Sequence, residues 1–194
     1  MECVYGVFLL SCHSTFAFRA GKRDAKAKKM AATDFLTKLD NRRSFNEKMI
    51  MEIERANRHK YPVAVIYMDV DNFKRLNDTY GHDTGDAVLV KAASVMKRSI
   101  RISDAAARVG GDEFAMFLPE MDRKNAEKLV EKLKGKLKTE CSGYVKRATF
   151  SFGVTVYNRV KSNMTARQML KEADRLMYKI KKKSKDAAVF KEIK

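Results

Sequence analysis

The stretch that most restricts the fold is "AAARVGGDEFAMFL", residues 105 to 118, where two glycines and two carboxylates separate two apolar runs of strand length. Only a tight turn fits between runs so close together, so the two strands must pair antiparallel. Elsewhere in the chain, patterns of helical period alternate with runs of strand length. The expectation is an α/β (α+β) fold: a mixed central sheet with at least one antiparallel pair, flanked by helices.

The remaining elements follow from periodicity. Phe45, Met49, Ile50 and Ile53 recur at helical spacing between Asn41 and His59, and "PVAVIYM" from Pro62 is a continuous apolar run. A second helix is expected from about Asp83, with Val88, Ala92, Val95 and Met96 on one side. After the glycines, Phe114, Met116 and Leu118 alternate like a half-buried strand. Asp122 can cap a helix burying Ala126, Leu129, Val130, Leu133 and Leu137. "TFSFGVTVY" alternates Phe150, Phe152, Val154 and Val156. Thr165 and Gln168 form a capping-box pattern ahead of Leu170, Ala173, Leu176, Met177 and Ile180. A last short strand is expected at "AAVF".

With 194 residues, 45% hydrophobic and 34% charged, the chain can bury one core of ordinary size. Residues 1–32 read as a short apolar segment followed by a basic helical stalk, and residues 33–194 as the folded domain. The apolar part, residues 3–18, is short against the ~20 residues a bilayer span needs and is interrupted by Ser, His and Thr. A membrane anchor, a signal-like segment and a helix end packed on a partner all remain open for it. Cys3, Cys12 and Cys141 are odd in number and have no metal spacing, which fits a reducing, cytoplasmic location, with tethering at the inner face of a membrane left open.

The net charge of +17 invites a nucleic-acid reading. Part of the excess is local, however: Lys179, Lys181, Lys182, Lys183 and Lys185 crowd the C-terminal helix. No aromatics interleave that run and no helix-turn-helix signal is present, so no nucleic-acid partner is expected.

The acidic residues have two readings. In "YMDVDNFKRLND", Asp69 and Asp71 follow an apolar run of strand length, and only one of the two is expected to point at a given site. Gly110 and Gly111 allow positive φ and close backbone approach, while Asp112 and Glu113 add oxygen ligands at a strand end. Read alone, GGDE suits a solvated turn. If the "DVD" strand lies beside this hairpin, Asp69 and Asp112 could share divalent ions. Oxygen donors without Cys or His favour Mg²⁺, with Mn²⁺ as the alternative ion, and a basic helix would balance a triphosphate.

From Asp34 to about Lys191 the chain resembles the GGDEF domain of bacterial diguanylate cyclases, through the ordered set "DFLTKLDNRRSF", "DVDNFKRLNDTYGHDTGD", "RISDAAARVGGDEF", "TFSFGV" and "ADRLMYKIK". The resemblance implies condensation of two GTP into cyclic di-GMP with release of pyrophosphate, by a transient homodimer in which each domain holds one GTP. It implies a fold similar to the nucleotidyl cyclase and polymerase palm. By this resemblance, Asp69, Asp112 and Glu113 are the catalytic carboxylates. Asp69, Asp112 and the Val70 carbonyl ligate the metal. Gly110, Gly111 and the backbone at Phe73 and Lys74 lie against the nucleotide, Asn77 and Asp86 read guanine, and Lys181 and Lys185 contact the triphosphate. Arg101 and Asp104 form an RxxD at the spacing of an inhibitory cyclic di-GMP site. Arg42, Arg43 and Arg108 match family positions without a catalytic role, and His82 reads as structural.

Two segments depart from the pattern. "IKKKSKD" stands where AKxxGRN is common, so Lys185 replaces Arg and Ser184 replaces Gly; the loss of a bidentate fork implies weaker substrate binding. Lys38 and Asp40 stand where Gly and Pro are usual, which touches an entry loop. A catalytically silent GTP or cyclic di-GMP sensor is the alternative function. An upstream sensory module or partner would supply the input.

Overall fold

The computed structural model describes residues 32–145 and 148–193, and its compact unit runs from Thr33 to the C-terminus. The apolar segment and the basic stalk lie outside the described residues. The elements are β1 (Asp40–Asn41), α1 (Arg42–His59), β2 (Val63–Val70), α2 (Phe73–Tyr80), α3 (His82–Ser99), β3 (Ala105–Arg108), β4 (Glu113–Pro119), α4 (Arg123–Cys141), β5 (Phe150–Tyr157), α5 (Ala166–Lys183) and β6 (Ala188–Ile193). One six-stranded sheet has the order β1-β3-β4-β2-β5-β6. β3, β4, β2 and β5 are successively antiparallel, while β1 and β6 join the two edges in parallel. The glycine turn thus makes the antiparallel hairpin that its length requires.

Capping sets the helix starts. Asn41 accepts a hydrogen bond from the Ser44 amide (3.0 Å) to open α1, and Asp122 accepts from the Asn125 amide (2.7 Å) to open α4. Thr165 and Gln168 form the reciprocal box that opens α5. The helix expected from about Asp83 begins at His82, and a separate helix, α2, precedes it. Leu76 is the only buried residue of α2, so eight residues with one apolar anchor carry no readable period. Gly81, at φ +86°, breaks the chain between α2 and α3.

The strand after the glycines is not half-buried. Every residue of β4 beyond Glu113 is buried, as are all of β2 and β5. Phe114, Met116 and Leu118 face a core shared with α3 and α4, together with Ile66, Met68, Phe152 and Val154. Ala115 and Phe117 face a second core with Val65, Tyr67, Phe45, Met49, Met169 and Met177, built on α1 and α5. Alternation in sequence here separates two cores rather than core from solvent, because helices cover both faces.

α5 lies unusually close to β5. A Cβ at Gly153 would stand 2.0 Å from the Ala173 carbonyl oxygen and 2.4 Å from the Met177 amide nitrogen, both backbone atoms. Gly153→Ala must therefore push the helix off the sheet, and we expect a loss of about 2–3 kcal/mol in denaturant unfolding. At the entry loop, Lys38 holds φ +59°, the left-handed region that a Cβ disfavours. This explains why glycine is usual there in the resembling family. Lys38→Gly should raise the unfolding midpoint, by up to about 1 kcal/mol of stability after the extra chain entropy of glycine is counted.

Candidate active site

β2 carries Asp69 at its C-terminal end, and the register places Glu113 of β4 directly across from it. Asp112 is anchored beside them, its carbonyl accepting from the Val70 amide at 3.2 Å. The "DVD" strand therefore does lie against the hairpin. The residue facing Asp69 on the same side of the sheet is Glu113, with Asp112 at the turn.

Asp69 is almost completely buried. Burial, with the negative charges of Asp112 and Glu113, pushes its carboxyl pKa up to about 6, against the opposing pull of Lys181. Lys181 of α5 donates to Asp69 Oδ1 as a partly buried ion pair. Lys185, in the turn after α5, donates to Asn72 Oδ1. The two lysines chosen for a triphosphate are thus brought to the residues flanking the strand end.

The glycines act otherwise than through backbone freedom. Among the described residues, the glycine with positive φ is Gly81, so Gly110 and Gly111 do not use the left-handed region. A Cβ at Gly110 would lie 2.1 Å from Glu113 Oε2, so this glycine clears the space in which the Glu113 carboxylate rests. The Gly111 carbonyl accepts from Arg108 Nε (3.0 Å) and Nη2 (2.7 Å). The Arg108 guanidinium also pairs with Asp34 at 3.3 Å, tying the turn to the entry loop. Arg108 is in this sense structural.

Asn77 packs its side chain against α3 in the space a Cβ at Gly85 would fill, and its Oδ1 is buried without a hydrogen-bond partner. Asp86 follows Gly85 and is exposed. α2 begins at Phe73 with no side-chain cap, because Asn72 sits at φ 55° and turns its side chain to Lys185. Its first-turn amides are the ones expected to face phosphates.

Arg101 and Asp104 lie apart from this cluster, before β3. Asp104 Oδ2 accepts from the Arg101 amide at 2.8 Å, and burial raises the Asp104 pKa. The pair borders a cavity of about 510 Å³ that Lys38, Lys48 and Lys97 also line.

Sequence reasoning passed over Tyr67 and Asn72, and it separated Asp69 from Asp71 without the physical reason: strand alternation would put both on one face, but β2 ends at Val70 and Asp71 turns to Thr149 and Ser151. Tyr67 stands two residues before Asp69 and so shares its face. Burial raises the Tyr67 pKa, and the negative charge of Glu113 nearby adds to the rise. That alternation was available in the sequence. The roles of Asn72 and Asp71 were not, since their partners are more than a hundred or about eighty residues away.

The donor set fits a hard divalent cation: carboxylate oxygens, no thiolate and no imidazole. Among the described residues, no three such side chains already converge as a cage. This suits an ion that takes few protein ligands and completes its shell with water and phosphate.

Three carboxylates on adjoining strand ends, with Lys181 on one of them and Lys185 on the nearby Asn72, suit chemistry on a polyphosphate. Residues 31–187 match the family described as "Diguanylate cyclase, GGDEF domain", and the chain belongs to that family. It is 31% identical over 179 residues to the bifunctional diguanylate cyclase/cyclic di-GMP phosphodiesterase MucR of Pseudomonas aeruginosa, covering 91% of this chain and 26% of that protein. The chain thus spans about a quarter of that relative. The crystal structure of the diguanylate cyclase SiaD of Pseudomonas aeruginosa, in complex with its activator SiaC, superposes with a TM-score of 0.74 at 31% identity, over 95% of this chain and 72% of that one. The GGDEF domain of DgcB from Caulobacter crescentus, in complex with c-di-GMP, gives 0.74 at 27% identity, over 82% and 92%.

Removing Lys181 takes away the two influences that hold the Asp69 pKa down, its hydrogen bond and its charge. In Lys181→Met, carboxyl carbon NMR titration in metal-free buffer should place Asp69 above its value of about 6.

Proposed function

We propose that this chain condenses two molecules of GTP into cyclic di-GMP and two pyrophosphates, as a diguanylate cyclase. The observation that carries this reading is the meeting of Asp69, Asp112 and Glu113 at one sheet end with Lys181 placed on Asp69. Family membership supports it, and so does the buried, unpartnered Asn77 Oδ1, which can accept from a guanine N–H.

In each half-reaction the 3′-hydroxyl oxygen of one GTP bonds to the α-phosphorus of the other, the bond to the β-phosphate oxygen breaks, and pyrophosphate leaves. The hydroxyl proton passes to solvent or to Glu113, whose carboxylate rests in the space over Gly110. Lys181 and Lys185 balance the charge of the triphosphate, and the first amides of α2 at Phe73 and Lys74 donate to its terminal oxygens. Asp86 joins Asn77 at guanine. Asp69, Asp112 and the Val70 carbonyl would hold Mg²⁺ or Mn²⁺, which when bound supplies charge stabilisation at the α-phosphate and acidifies the attacking hydroxyl.

One domain presents one nucleotide, so closing the ring needs a second copy, and a transient homodimer is part of the reading. Residues 33–194 form the catalytic domain and residues 1–32 the lead-in, through which an upstream module or partner would act. Arg101 and Asp104, in their separate cavity, form the product site that would inhibit the enzyme. The location that matches GTP as substrate is the cytoplasm. No helix among the described residues is long and apolar enough to cross a membrane.

Purified protein incubated with GTP and Mg²⁺ should yield cyclic di-GMP, read by chromatography, at a rate rising more than linearly with protein concentration. Asp112→Ala should lose about a hundredfold or more of this rate with its thermal unfolding unchanged. GTP bound without product at every concentration would instead support a silent sensor.

A further inference from the structure

Asp71 is separated from Asp69 by one residue, yet it takes no part in the carboxylate cluster. It is buried and accepts three hydrogen bonds: from Ser151 Oγ at Oδ1 (2.7 Å), and from Thr149 Oγ1 (2.8 Å) and the Asp186 amide (2.9 Å) at Oδ2. The first two donors belong to the start of β5 and the residue before it. The third lies in the turn between α5 and β6, a hundred and more residues along the chain.

That turn is otherwise unfavourable. Asp186 sits at φ +57°, in the left-handed region, without being glycine. Its amide is taken by Asp71 and its carbonyl by Lys134 Nζ (3.1 Å), so the peptide units on both sides of the strained residue are held. Ser184, by contrast, is extended (φ −157°), so glycine is not needed there. Lys185 stands between these two residues. The segment 69–72 therefore grips the end of α5 and the turn after it at three points: Asp69 on Lys181, Asn72 on Lys185, and Asp71 on the backbone of the residue after Lys185. Of these three contacts the Asp71 one is to backbone, so among them it is the one that fixes where Lys185 starts from.

We propose that Asp71 is a positioning residue for anion binding. Its carboxylate pins the α5–β6 turn so that the Lys185 ammonium group is held beside the strand end, ready, with Lys181 of α5, for the phosphates of a nucleotide. This rests on the cyclase reading for the identity of that nucleotide, though not for the pinning itself. It also accounts for a chain that uses lysine where the resembling family commonly has arginine. A flexible point charge gains more from a fixed base than a preorganised fork does.

The test uses the full chain and two probes, inorganic pyrophosphate and GTP, with calorimetric binding and steady-state kinetics. Asp71→Asn keeps the size but turns an amide N–H₂ or a single acceptor toward three donors. Pyrophosphate affinity should fall about tenfold, and KM for GTP should rise more than kcat falls. Thr149→Val, which removes one donor, should lose about threefold in pyrophosphate affinity and serves where Asp71→Asn does not fold. Adding Lys185→Ala to Asp71→Asn should cost little beyond the larger single effect, because both act through one lysine. Unchanged pyrophosphate affinity in the variants, full additivity with Lys185→Ala, or a kcat loss larger than the KM rise would overturn the proposal. So would the absence of pyrophosphate binding in the parent chain. Pyrophosphate binding that depends on Asp71 in a protein that makes no cyclic di-GMP would uphold the pinning and sink the cyclase reading. Product formation with Asp71-independent binding would do the reverse.

Discussion

The close approach of α5 to the sheet at Gly153 is the contact on which the rest depends. Ala173 and Met177 touch β5 through backbone atoms because no side chain intervenes. Lys181 lies one helical turn beyond Met177 on the same face, so this approach brings its ammonium down to Asp69. A helix riding even a methyl group higher would leave a buried carboxylate beside two others without its cation. Packing and electrostatics are thus one arrangement at this point: a glycine in a fully buried strand decides whether a charged site can exist at the strand's end.

That site is costly for the protein that carries it. Asp69 is taken out of water next to Asp112 and Glu113, and its pKa rises to about 6 for that reason. A group whose folded pKa exceeds its unfolded value weakens folding as pH rises through the interval between them, here from about 3.8 to about 6. Lys181 offsets part of the penalty, and a bound cation would offset more. Two of the left-handed non-glycine positions lie beside the lysine contacts: Asn72, whose side chain accepts from Lys185, and Asp186, whose amide donates to Asp71.

The hairpin shows how structural and chemical duties share residues. Gly110 is required for the volume of Glu113, and the backbone carbonyl of Gly111 is what Arg108 reaches. Arg108 then joins the turn to Asp34 in the entry loop, where Lys38 adopts a conformation better suited to glycine. The loop therefore carries strain while its anchor to the glycine turn stays intact.

Much of this was readable from local pattern alone. Asn41, Asp122 and Thr165 open helices as their side-chain chemistry requires, the glycine turn forces an antiparallel pair, and the ordered motifs single out the carboxylates and lysines. Those are short-range constraints, set by neighbours within a few residues. Burial of β4 and β5 on both faces, the choice of Glu113 to face Asp69, and the path of Asp71 to Thr149, Ser151 and Asp186 were not readable. Each depends on which distant segment packs alongside, and alternation in one strand cannot say whether its second face meets water or a helix. The sequence by itself determined the elements, their caps and the chemical groups available. The tertiary structure alone decided which groups meet, because register and the depth of α5 are set by contacts between residues about twenty to more than a hundred positions apart.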